Sequence, residues 1–496
     1  MAVYDAIIIG GGLGGLLCGN ILSKEGLKVC LIEKNHKLGG SLQTFGRRGT
    51  IFNTGLNYTE SLGSGQVLNQ YFKYFGLTDR LTFKKLDEKG FEVISFNDRQ
   101  FRFAMGAESF LEAMISDFPG EKDGLKTYLK KIHDICMAIP LYTFSGAPSN
   151  IIDNTSLNQG AYNYIKSVIS NPRLQNILAG NSMLYSGTAN YTPLYIHALI
   201  NNSFIESAWR IAGGSHLLVN ILANNITDNG GTILKQRKVA RLGLENGRAS
   251  FVELEDGEQV HGKNFIANIH PAEVLKIVEP SSLRKTYTTR IKSLEDTMGM
   301  FTLYLVFKKE SFPYHNYNFY HFNQDNTWVA SDYRSEHWPQ NYLYMPVAMT
   351  RDDQFAKSGS VITYMNYKEV QKWENTFTGE RGDDYIEFKN EKAEILLDSV
   401  EKQFPGFREH IDSYYTSTPL TWRDYTGTRN GSAYGIVKDF NRPLETLILP
   451  RTHIPNFFLT GQNNYVHGIL GVTISSVVTC SGLIDEGYLV KKIKSA

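Results

Sequence analysis

Cysteine is scarce in this chain, and its few cysteines are widely spaced. The 496 residues contain four, Cys18, Cys30, Cys136 and Cys480, and no two of them form a C-x-x-C pair. Zinc sites and disulfide frameworks need clustered thiols, so this spacing argues against both. We therefore expect reduced core cysteines of an intracellular protein and no metal centre.

Long unbroken apolar segments are also missing. The best candidate for a membrane span, residues 468–484, contains serine and threonine and runs into Asp485 and Glu486. A transmembrane helix needs about 20 mostly apolar residues. The N-terminus lacks the basic segment of a signal peptide, and glycines interrupt its apolar part. We therefore expect a cytoplasmic location, with peripheral membrane contact left open.

The chain has almost no net charge. Its 51 basic and 50 acidic residues leave a formal charge of +1, so no nucleic-acid partner is predicted. Hydrophobic residues make up 42% and charged residues 20%, which is the balance of a globular protein long enough for two or more domains. The mild excess is in aromatic residues, with 28 Tyr and 28 Phe, which either line a large apolar pocket or fill cores.

What the sequence does contain is a nucleotide-binding pattern near its start. The apolar residues 6–9 predict a buried parallel strand, and Gly10, Gly12 and Gly15 follow in G-x-G-x-x-G spacing. Gly10 would make the tight turn, Gly12 would let the backbone approach a pyrophosphate, and Gly15 would let a helix pack on the strand. The helix that opens at Leu13 would direct its free N–H groups at the phosphates.

An acidic residue completes this pattern. Glu33 ends a second predicted strand and lies 33 − 10 = 23 positions after Gly10, where a carboxylate accepts a hydrogen bond from a ribose 2′-OH. The same charge would repel a 2′-phosphate, so NADP is not expected. Strand, glycines, helix, strand and acid in this order predict a dinucleotide site, but they do not separate NAD from FAD.

The rest of the chain predicts a second, aromatic-rich unit. Loosely alternating segments at 298–307, 317–322, 342–347 and 361–367 indicate strands of a mostly antiparallel sheet. A helical stretch is expected from about 159 to 178. A sheet dense in Tyr, Phe and Trp suits a long apolar ligand better than a polar metabolite.

Four separated motifs carry a family resemblance. They are GGSLQTFGRRGTIFNTGLNYTES at 39–61, PLYIHAL at 193–199, YTGTRNGSAYG at 425–435 and NFFLTGQNNYVHGILGV at 456–472. The chain resembles the superfamily of FAD-dependent carotenoid desaturases, carotenoid isomerases and retinol saturases, with the retinol saturase branch closest. Ser41 and Asn53 stand where many relatives have Arg and Asp, and Gln462 stands where Asp is common.

The resemblance implies an α/β fold with two discontinuous domains. A Rossmann-type FAD-binding domain, like that of glutathione reductase and amine oxidases, would comprise residues 1–80, 205–285 and 425–496. An α+β substrate domain built on the mostly antiparallel sheet would comprise residues 81–204 and 286–424. The motif at 456–472 matches the superfamily's second FAD signature, and this argues for FAD over NAD.

The pattern and the resemblance together name the cofactor contacts. In the superfamily the residue matching Val239 offers its backbone to the adenine, and the helix that starts near Gly468 points at the flavin. The expected FAD-binding residues are Gly10, Gly12, Leu13, Gly14, Gly15, Glu33, Lys34, Gly39, Gly40, Ser41, Asn57, Val239, Gly461, Gln462, Gly468 and Ile469.

Three residues are candidates for catalysis. His467 opens the helix expected beside the flavin and is the best candidate for proton transfer. His197 lies among apolar residues, so it is either a core histidine with satisfied hydrogen bonds or an acid of the substrate pocket. Tyr58 is the third. For all three, and for Asn463 and Asn464, the alternative is a structural role in the cofactor pocket.

The resemblance implies an FAD-dependent oxidoreductase that acts on C=C bonds of a hydrophobic polyene or isoprenoid lipid by hydride transfer at flavin N5. Saturation is suggested, with desaturation and isomerisation as close alternatives. Two other classes stay open: an amine-oxidase-like flavoenzyme with a compact aromatic cage for a small polar substrate, and a non-catalytic FAD-bound lipid-binding protein. The electron donor or acceptor is not predicted.

Overall fold

Two seven-stranded sheets dominate the computed structural model, which describes residues 3–145 and 154–496. The strands are β1 (Val3–Ile9), β2 (Val29–Glu33), β3 (Thr44–Arg47), β4 (Thr50–Asn53), β5 (Thr59–Glu60), β6 (Phe83–Lys85), β7 (Glu92–Ser95), β8 (Gln100–Phe103), β9 (Ala208–Ile211), β10 (Thr232–Lys235), β11 (Val239–Glu245), β12 (Arg248–Leu254), β13 (Gln259–Ala267), β14 (Gly299–Phe307), β15 (Asn318–Phe322), β16 (Asn341–Pro346), β17 (Ser358–Met365), β18 (Ile411–Ser417) and β19 (Phe457–Leu459).

Helices surround both sheets. They are α1 (Leu13–Lys24), α2 (Val67–Tyr74), α3 (Ala107–Asp117), α4 (Lys122–Met137), α5 (Pro140–Thr143), α6 (Asn154–Leu157), α7 (Ala161–Val168), α8 (Pro172–Leu178), α9 (Leu194–Glu206), α10 (His216–Asp228), α11 (Pro271–Ile277), α12 (Lys285–Ser293), α13 (Asp383–Gln403), α14 (Pro419–Thr426), α15 (Pro443–Thr446), α16 (Gly468–Cys480) and α17 (Glu486–Lys494).

The first sheet is the nucleotide-binding one. Its order is β10-β2-β1-β13-β12-β11, and β19 also pairs with β13. β1 lies between β2 and β13, and both pairings are parallel. The residues Ala6–Ile9 are buried, which explains their unbroken apolar run, because helices cover both faces of such a sheet. The predicted Rossmann-type fold is confirmed, and β1, β13 and β19 end at the same edge.

The second sheet has the order β18-β14-β17-β16-β15-β7-β8. Every pairing is antiparallel except that of β7 with β15. All nine residues of β14 are buried, because β17 and β18 flank it and other elements cover both faces. The mostly antiparallel sheet of the second unit is therefore confirmed.

The chain passes between the two sheets more than once. The first sheet takes strands from 3–33, 232–267 and 457–459, and the second takes strands from 92–103 and 299–417. The predicted domain boundaries at 80, 204, 285 and 424 are compatible with this order. They stay a prediction.

The cysteines and the membrane expectation can be compared with the structure. All four cysteines are free thiols, and all are buried. Within residues 3–145 and 154–496, no helix combines the length and the apolar character that crossing a bilayer requires.

The helical stretch predicted from about 159 to 178 is interrupted. The structure has two helices, α7 and α8, with a break at residues 169–171. Pro172 cannot continue a helix that comes before it, and it disfavours helical backbone at Asn171. Asn171 instead caps α8, where its side-chain oxygen accepts hydrogen bonds from the backbone N–H groups of Arg173 and Leu174.

Burial on β14 generates a stability prediction. Leu303 is fully buried on β14, between β17 and β18, so Leu303→Ala leaves a cavity and should cost about 2–5 kcal/mol. Leu444 is 73% exposed, and Leu444→Ala should change stability by less than about 0.5 kcal/mol. The check is the thermal midpoint by circular dichroism. Equal midpoints for the two variants would contradict the placement of β14.

Candidate functional site

The glycine loops of the two chain ends meet at the carboxyl edge of the first sheet. Gly12 forms a parallel bridge with Gly39, and a Cβ built on Gly40 would lie 3.2 Å from the Gly12 Cα. A Cβ built on Gly14 would lie 3.0 Å from the Gly461 Cα. Three segments far apart in the sequence therefore approach one another through their backbones, because none carries a side chain at the contact.

Asn268 holds this junction, and the sequence analysis did not identify it. It directly follows β13, and its Nδ2 donates to the Gly10 carbonyl at 3.3 Å. Its Oδ1 lies 2.6 Å and 2.5 Å from where Cβ atoms of Gly14 and Gly461 would stand. The available signal was its position after a buried strand, since the carboxyl ends of parallel strands form the binding edge.

A cavity of about 280 Å³ opens from the junction. Both loops and the start of α16 line one end, which is mainly backbone. Of the predicted cofactor residues, the cavity is lined by Gly12, Leu13, Gly14, Gly39, Gly40, Ser41, Asn57, Gly461, Gln462, Gly468 and Ile469. The catalytic candidates Tyr58 and His467 also line it, as does Asn463.

The remaining walls of the cavity are largely aliphatic. They come from the second sheet and from the helical segment 183–204. These side chains are Met183, Leu184, Ile200, Phe204, Met300, Leu343, Met345 and Ile362. The cavity therefore joins a glycine-rich end to an apolar end, and it reaches from one sheet to the other.

Several predicted residues are not among those that line the cavity. Gly10 and Gly15 lie beside it, where a Cβ on Gly15 would come within 2.1 Å of the Gly10 carbonyl oxygen. Their close approach packs α1 against β1. Val239 begins β11 and is buried in the first sheet's core. Lys34 lies against Gly427, because a Cβ built on Gly427 would be 3.2 Å from the Nζ of Lys34.

Glu33 lies next to the junction at the end of β2. Its Oε2 accepts the backbone N–H of Gly11 at 2.7 Å, and its Oε1 accepts that of Asn35 at 2.8 Å. These two bonds fix a buried carboxylate against the turn that Gly12 continues. Each oxygen keeps a lone pair, so the group can still accept a hydroxyl.

The residues at the glycine-rich end fit the predicted dinucleotide. A side chain at Gly12 would start 3.0 Å from the Asn268 Nδ2 and fill the space between the loops. The N-terminus of α1 faces this space with no acidic residue in its first turn, which suits phosphate. Asn57 lines the same cavity, and its buried Oδ1 has no hydrogen-bond partner in the protein. Such an atom calls for a bound group.

His467 is held as a neutral imidazole at the start of α16. Its Nε2–H donates to the Leu184 carbonyl at 2.8 Å, and its ring lies against that of Tyr434 with centroids 4.4 Å apart. Burial lowers the pKa of His467 to about 4, and the charge of Lys438 adds to this, although the Leu184 carbonyl opposes it. At neutral pH the ring can accept a proton at Nδ1 but is a poor donor.

Lys438 supports the loop that precedes His467. Its Nζ donates to the Asn463 carbonyl at 2.6 Å and to the Thr446 carbonyl at 2.9 Å. Burial lowers the pKa of Lys438 to about 7, and the nearby charge of Arg290 contributes. The neighbouring Asn464 donates to the Leu459 carbonyl at 3.1 Å and does not line the cavity. These bonds fix Gln462 and Asn463 at the cavity.

His197 lies in α9 and away from the residues that line the cavity. Tyr128 and Tyr185 place their hydroxyls 2.8 Å and 2.9 Å from its two ring nitrogens. Burial lowers the pKa of His197 to about 3, so the ring is neutral. Its surroundings are those of a core histidine with both nitrogens paired.

Tyr58 connects the cavity to a buried carboxyl group. Its hydroxyl lies 2.6 Å from Oε1 of Glu92 and 2.5 Å from the hydroxyl of Tyr320. Burial raises the pKa of Glu92 to about 7. Glu92 cannot be identified from the sequence alone, because an acidic residue in an alternating strand normally faces solvent.

Comparisons with known proteins agree with this geometry. The family model described as flavin containing amine oxidoreductase matches residues 13–476, which is most of the chain. The chain is 24% identical over 538 residues to the human (Homo sapiens) all-trans-retinol 13,14-reductase, covering 99% of this chain and 87% of that protein. It is 22% identical over 516 residues to the chloroplastic prolycopene isomerase of Arabidopsis thaliana, covering 99% of this chain and 84% of that protein.

A solved structure shows the same fold. An oxidoreductase from Methanosarcina mazei superposes with a TM-score of 0.63 at 15% identity, covering 95% of this chain and 98% of that one. The match to the family model extends from the start of α1 into α16, so it includes Gly14, the Gly39–Gly40 loop and Gly461 at the cavity. The chain is therefore an FAD-dependent oxidoreductase and belongs to the flavin-containing amine oxidoreductase family.

Proposed function

We propose that this protein saturates a C=C bond of a hydrophobic polyene by hydride transfer from its flavin. The observation that carries the proposal is the single cavity that joins the glycine-rich end to aliphatic walls. A polyene chain needs apolar contacts along its length and few hydrogen bonds, and Leu343, Met345 and Ile362 of the second sheet offer such contacts.

The relatives support this substrate class. One is named for the reduction of all-trans-retinol and the other for the isomerisation of prolycopene, and both names describe polyenes. Each similarity extends over nearly the whole chain, so it includes the cavity walls as well as the cofactor loops. Isomerisation at the same site is an alternative outcome of the experiment below.

The proposed cofactor contacts follow from the positions of the loops. Gly12, Leu13, Gly14, Gly39 and Gly40 would hold the pyrophosphate with backbone groups. Glu33 would accept a hydrogen bond from the ribose hydroxyl. Lys34 and Val239 would lie near the adenine. The flavin portion would lie against the second loop and the start of α16, with contacts from Ser41, Asn57, Gly461, Gln462, Gly468 and Ile469.

The bound FAD supplies the hydride chemistry, and the chain supplies the surroundings in which it occurs. The aliphatic walls exclude water from the reacting carbons. The N-terminus of α16 places a positive partial charge at the cavity, where reduced flavin carries negative charge. Neutral His467 keeps a proton on Nε2 through its bond to the Leu184 carbonyl, and this fixes the ring in one orientation.

The cavity lining argues against a small cationic substrate. A compact aromatic cage would surround such a substrate with ring faces, but here aliphatic side chains outnumber Tyr58, Phe204, Trp422 and Tyr434. Glu60 is the one acidic side chain in the cavity lining, and burial raises its pKa. The lining therefore favours an uncharged apolar ligand.

Replacing Gly12 tests the proposed pyrophosphate contact. In Gly12→Val the added side chain fills the space between the glycine loops, so the purified protein should lose most of its flavin. The measurement is the ratio of flavin to protein absorbance. Gly120→Val is the matched control, because a Cβ at this exposed glycine meets nothing within 4 Å. Unchanged flavin content in a folded Gly12→Val protein would contradict the assignment.

The substrate class is tested with the purified holoenzyme. It should be yellow, dithionite should bleach it, and all-trans-retinol added without oxygen should restore the colour in one turnover. The product should carry two more hydrogens, as read by mass spectrometry. Prolycopene converted without a change in mass would indicate isomerisation instead. If neither polyene reoxidises the flavin, the result contradicts the proposal.

We also propose that the protein docks at a lipid surface to collect its insoluble substrate. Leu444 and Leu449 are 73% and 57% exposed in one short segment, between Arg442 and Arg451. Exposed leucines beside arginines suit an anionic bilayer. Co-sedimentation with anionic liposomes should occur and should weaken in Leu444→Ser/Leu449→Ser. An equal change in Ile386→Ser/Ile395→Ser, on exposed α13, would contradict this location.

A further inference from the structure

We propose that Tyr58, Glu92 and Tyr320 form a buried proton relay, and that the Tyr58 hydroxyl delivers the proton that completes saturation of the substrate double bond. This inference rests on the proposed function and adds a proton path to it. Tyr58 lines the substrate cavity, whereas Glu92 and Tyr320 are not among the lining residues and act through their hydrogen bonds to Tyr58.

The three relay side chains are hydrogen-bonded to one another, and two of them lie on paired strands of the second sheet. Glu92 begins β7 and Tyr320 lies in β15, two strands that pair in parallel in the second sheet. The Tyr58 hydroxyl lies 2.6 Å from the Glu92 Oε1 and 2.5 Å from the Tyr320 hydroxyl. Asn181 donates to the other carboxyl oxygen, Oε2, at 3.4 Å. All three relay side chains are therefore fixed by hydrogen bonds.

A carboxyl group in this position needs an explanation. Glu92 and Tyr320 are 0% exposed, and Tyr58 is 7% exposed. Among the described residues, the hydrogen-bond partners of the Glu92 carboxyl are the uncharged side chains of Tyr58, Asn181 and Tyr320, and no ion pair involves it. Arg210 donates instead to Oδ1 of Asn318, the residue of β15 paired in register with Glu92. Burying a carboxyl without a cation is costly, so such groups are uncommon outside functional sites.

The groups around Glu92 are neutral or proton-bearing. They are Tyr58, Tyr320 and Asn181. Tyr185 lies nearby; burial raises its pKa, and the charge of Glu92 adds a smaller contribution. Burial raises the pKa of Glu92 to about 7, while the hydrogen bonds from Tyr58, Asn181 and Tyr320 oppose this. Near neutral pH the carboxyl therefore exists in both forms, and this is the property that a proton relay requires.

Protonation of Glu92 changes the direction of the hydrogen bond. The ionised carboxylate accepts from Tyr58, so the phenol proton points away from the cavity. The protonated carboxyl donates to the Tyr58 oxygen, and the phenol proton is then no longer committed to Glu92. When the Tyr320 hydroxyl also donates to the Tyr58 oxygen, the phenol proton can be transferred to the substrate. Only the second arrangement makes Tyr58 a donor to the substrate.

The proposed step balances with dithionite-reduced flavin as the source of two electrons. One carbon of the double bond receives a hydride and forms a C–H bond as the π bond breaks. The electron pair of the π bond moves to the other carbon and takes the proton of the Tyr58 hydroxyl. The Tyr58 oxygen takes a proton from Glu92 in the same movement, and Glu92 is protonated again from solvent. The substrate gains H⁻ and H⁺ in total.

Tyr58 is a better donor than the other candidate that lines the cavity. His467 is neutral at pH 7 and commits its one proton to the Leu184 carbonyl. It can give that proton up only by breaking this bond and forming an imidazolate. When Tyr58 gives up its proton, the protonated Glu92 carboxyl can replace it, so the Tyr58 oxygen does not remain charged.

Infrared difference spectroscopy tests the relay without turnover. In the holoprotein, Glu92 should give a protonated-carboxyl C=O band that is absent from Glu92→Gln and is half lost at about pH 7. Tyr58→Phe should move this midpoint to higher pH, because it removes a hydrogen bond that stabilises the carboxylate. Tyr71→Phe is the matched control, since Tyr71 is equally buried but donates to the Leu141 carbonyl.

Single-turnover kinetics test the direction of proton flow. With dithionite-reduced holoenzyme and all-trans-retinol as the probe, Tyr58→Phe should slow flavin reoxidation by about 10²–10⁴-fold, the usual contribution of a general acid.

The wild-type rate should fall through about pH 7 as Glu92 ionises. Glu92→Gln should abolish this inflection and leave the rate at the wild-type high-pH value. Tyr320→Phe should keep the inflection and shift its midpoint. Each variant must retain its flavin and its thermal midpoint.

The outcomes separate the relay from the proposed function. If the wild type turns the probe over but Glu92→Gln keeps the pH inflection, or no Glu92 band titrates, the relay is overturned and the function stands. If no polyene reoxidises the flavin, the function falls and the relay falls with it. Loss of both the infrared midpoint and the kinetic inflection in Glu92→Gln supports the relay.

Discussion

The close approach of backbone to backbone at the edge of the first sheet is the constraint on which the rest of the structure depends. Gly12 and Gly39 lie near the start of the chain and Gly461 near its end. A side chain at Gly12 or Gly461 would meet Asn268, and one at Gly39 would meet Val219. Parallel pairing of β1 with β13, and of β13 with β19, brings the strand ends that carry these loops to one place. The proposed cofactor site is thus a product of the sheet's topology, and glycine at these positions lets the loops approach one another.

The second sheet supplies a different environment on the other side of the same cavity. Its strands β14, β16 and β17 present aliphatic side chains, and β7 of the same sheet carries the buried carboxyl of Glu92, which accepts a hydrogen bond from Tyr58. Apolar walls strengthen electrostatic effects inside them, because little water is present to screen a charge. One wall can therefore bind a polyene and also hold a carboxyl group whose proton is easily moved. This combination distinguishes the cavity from a simple lipid pocket.

The sequence predicted the parts of this architecture that rest on local patterns. The strand, the glycines and the acid from residue 6 to 33 follow from backbone and helix-dipole requirements, and the strands of β14 to β17 follow from alternation. It did not predict Asn268 or Glu92, because their roles depend on which strand ends and layers meet in space. Pro172 shows the opposite case, since a proline after a helical segment is a local signal that by itself predicts the break between α7 and α8. His197 shows that a histidine in an apolar helix is ambiguous until its partners, Tyr128 and Tyr185, are known.

The central claim is that both chain ends bind one FAD and that the second sheet holds an apolar substrate beside it. An experimental structure of the holoprotein with bound all-trans-retinol tests this most directly. The account predicts one FAD in contact with both Gly12 and Gly461, and a polyene chain against Leu343, Met345 and Ile362. A flavin that contacts only one of the two glycine loops, or a polyene bound outside this cavity, would contradict the account.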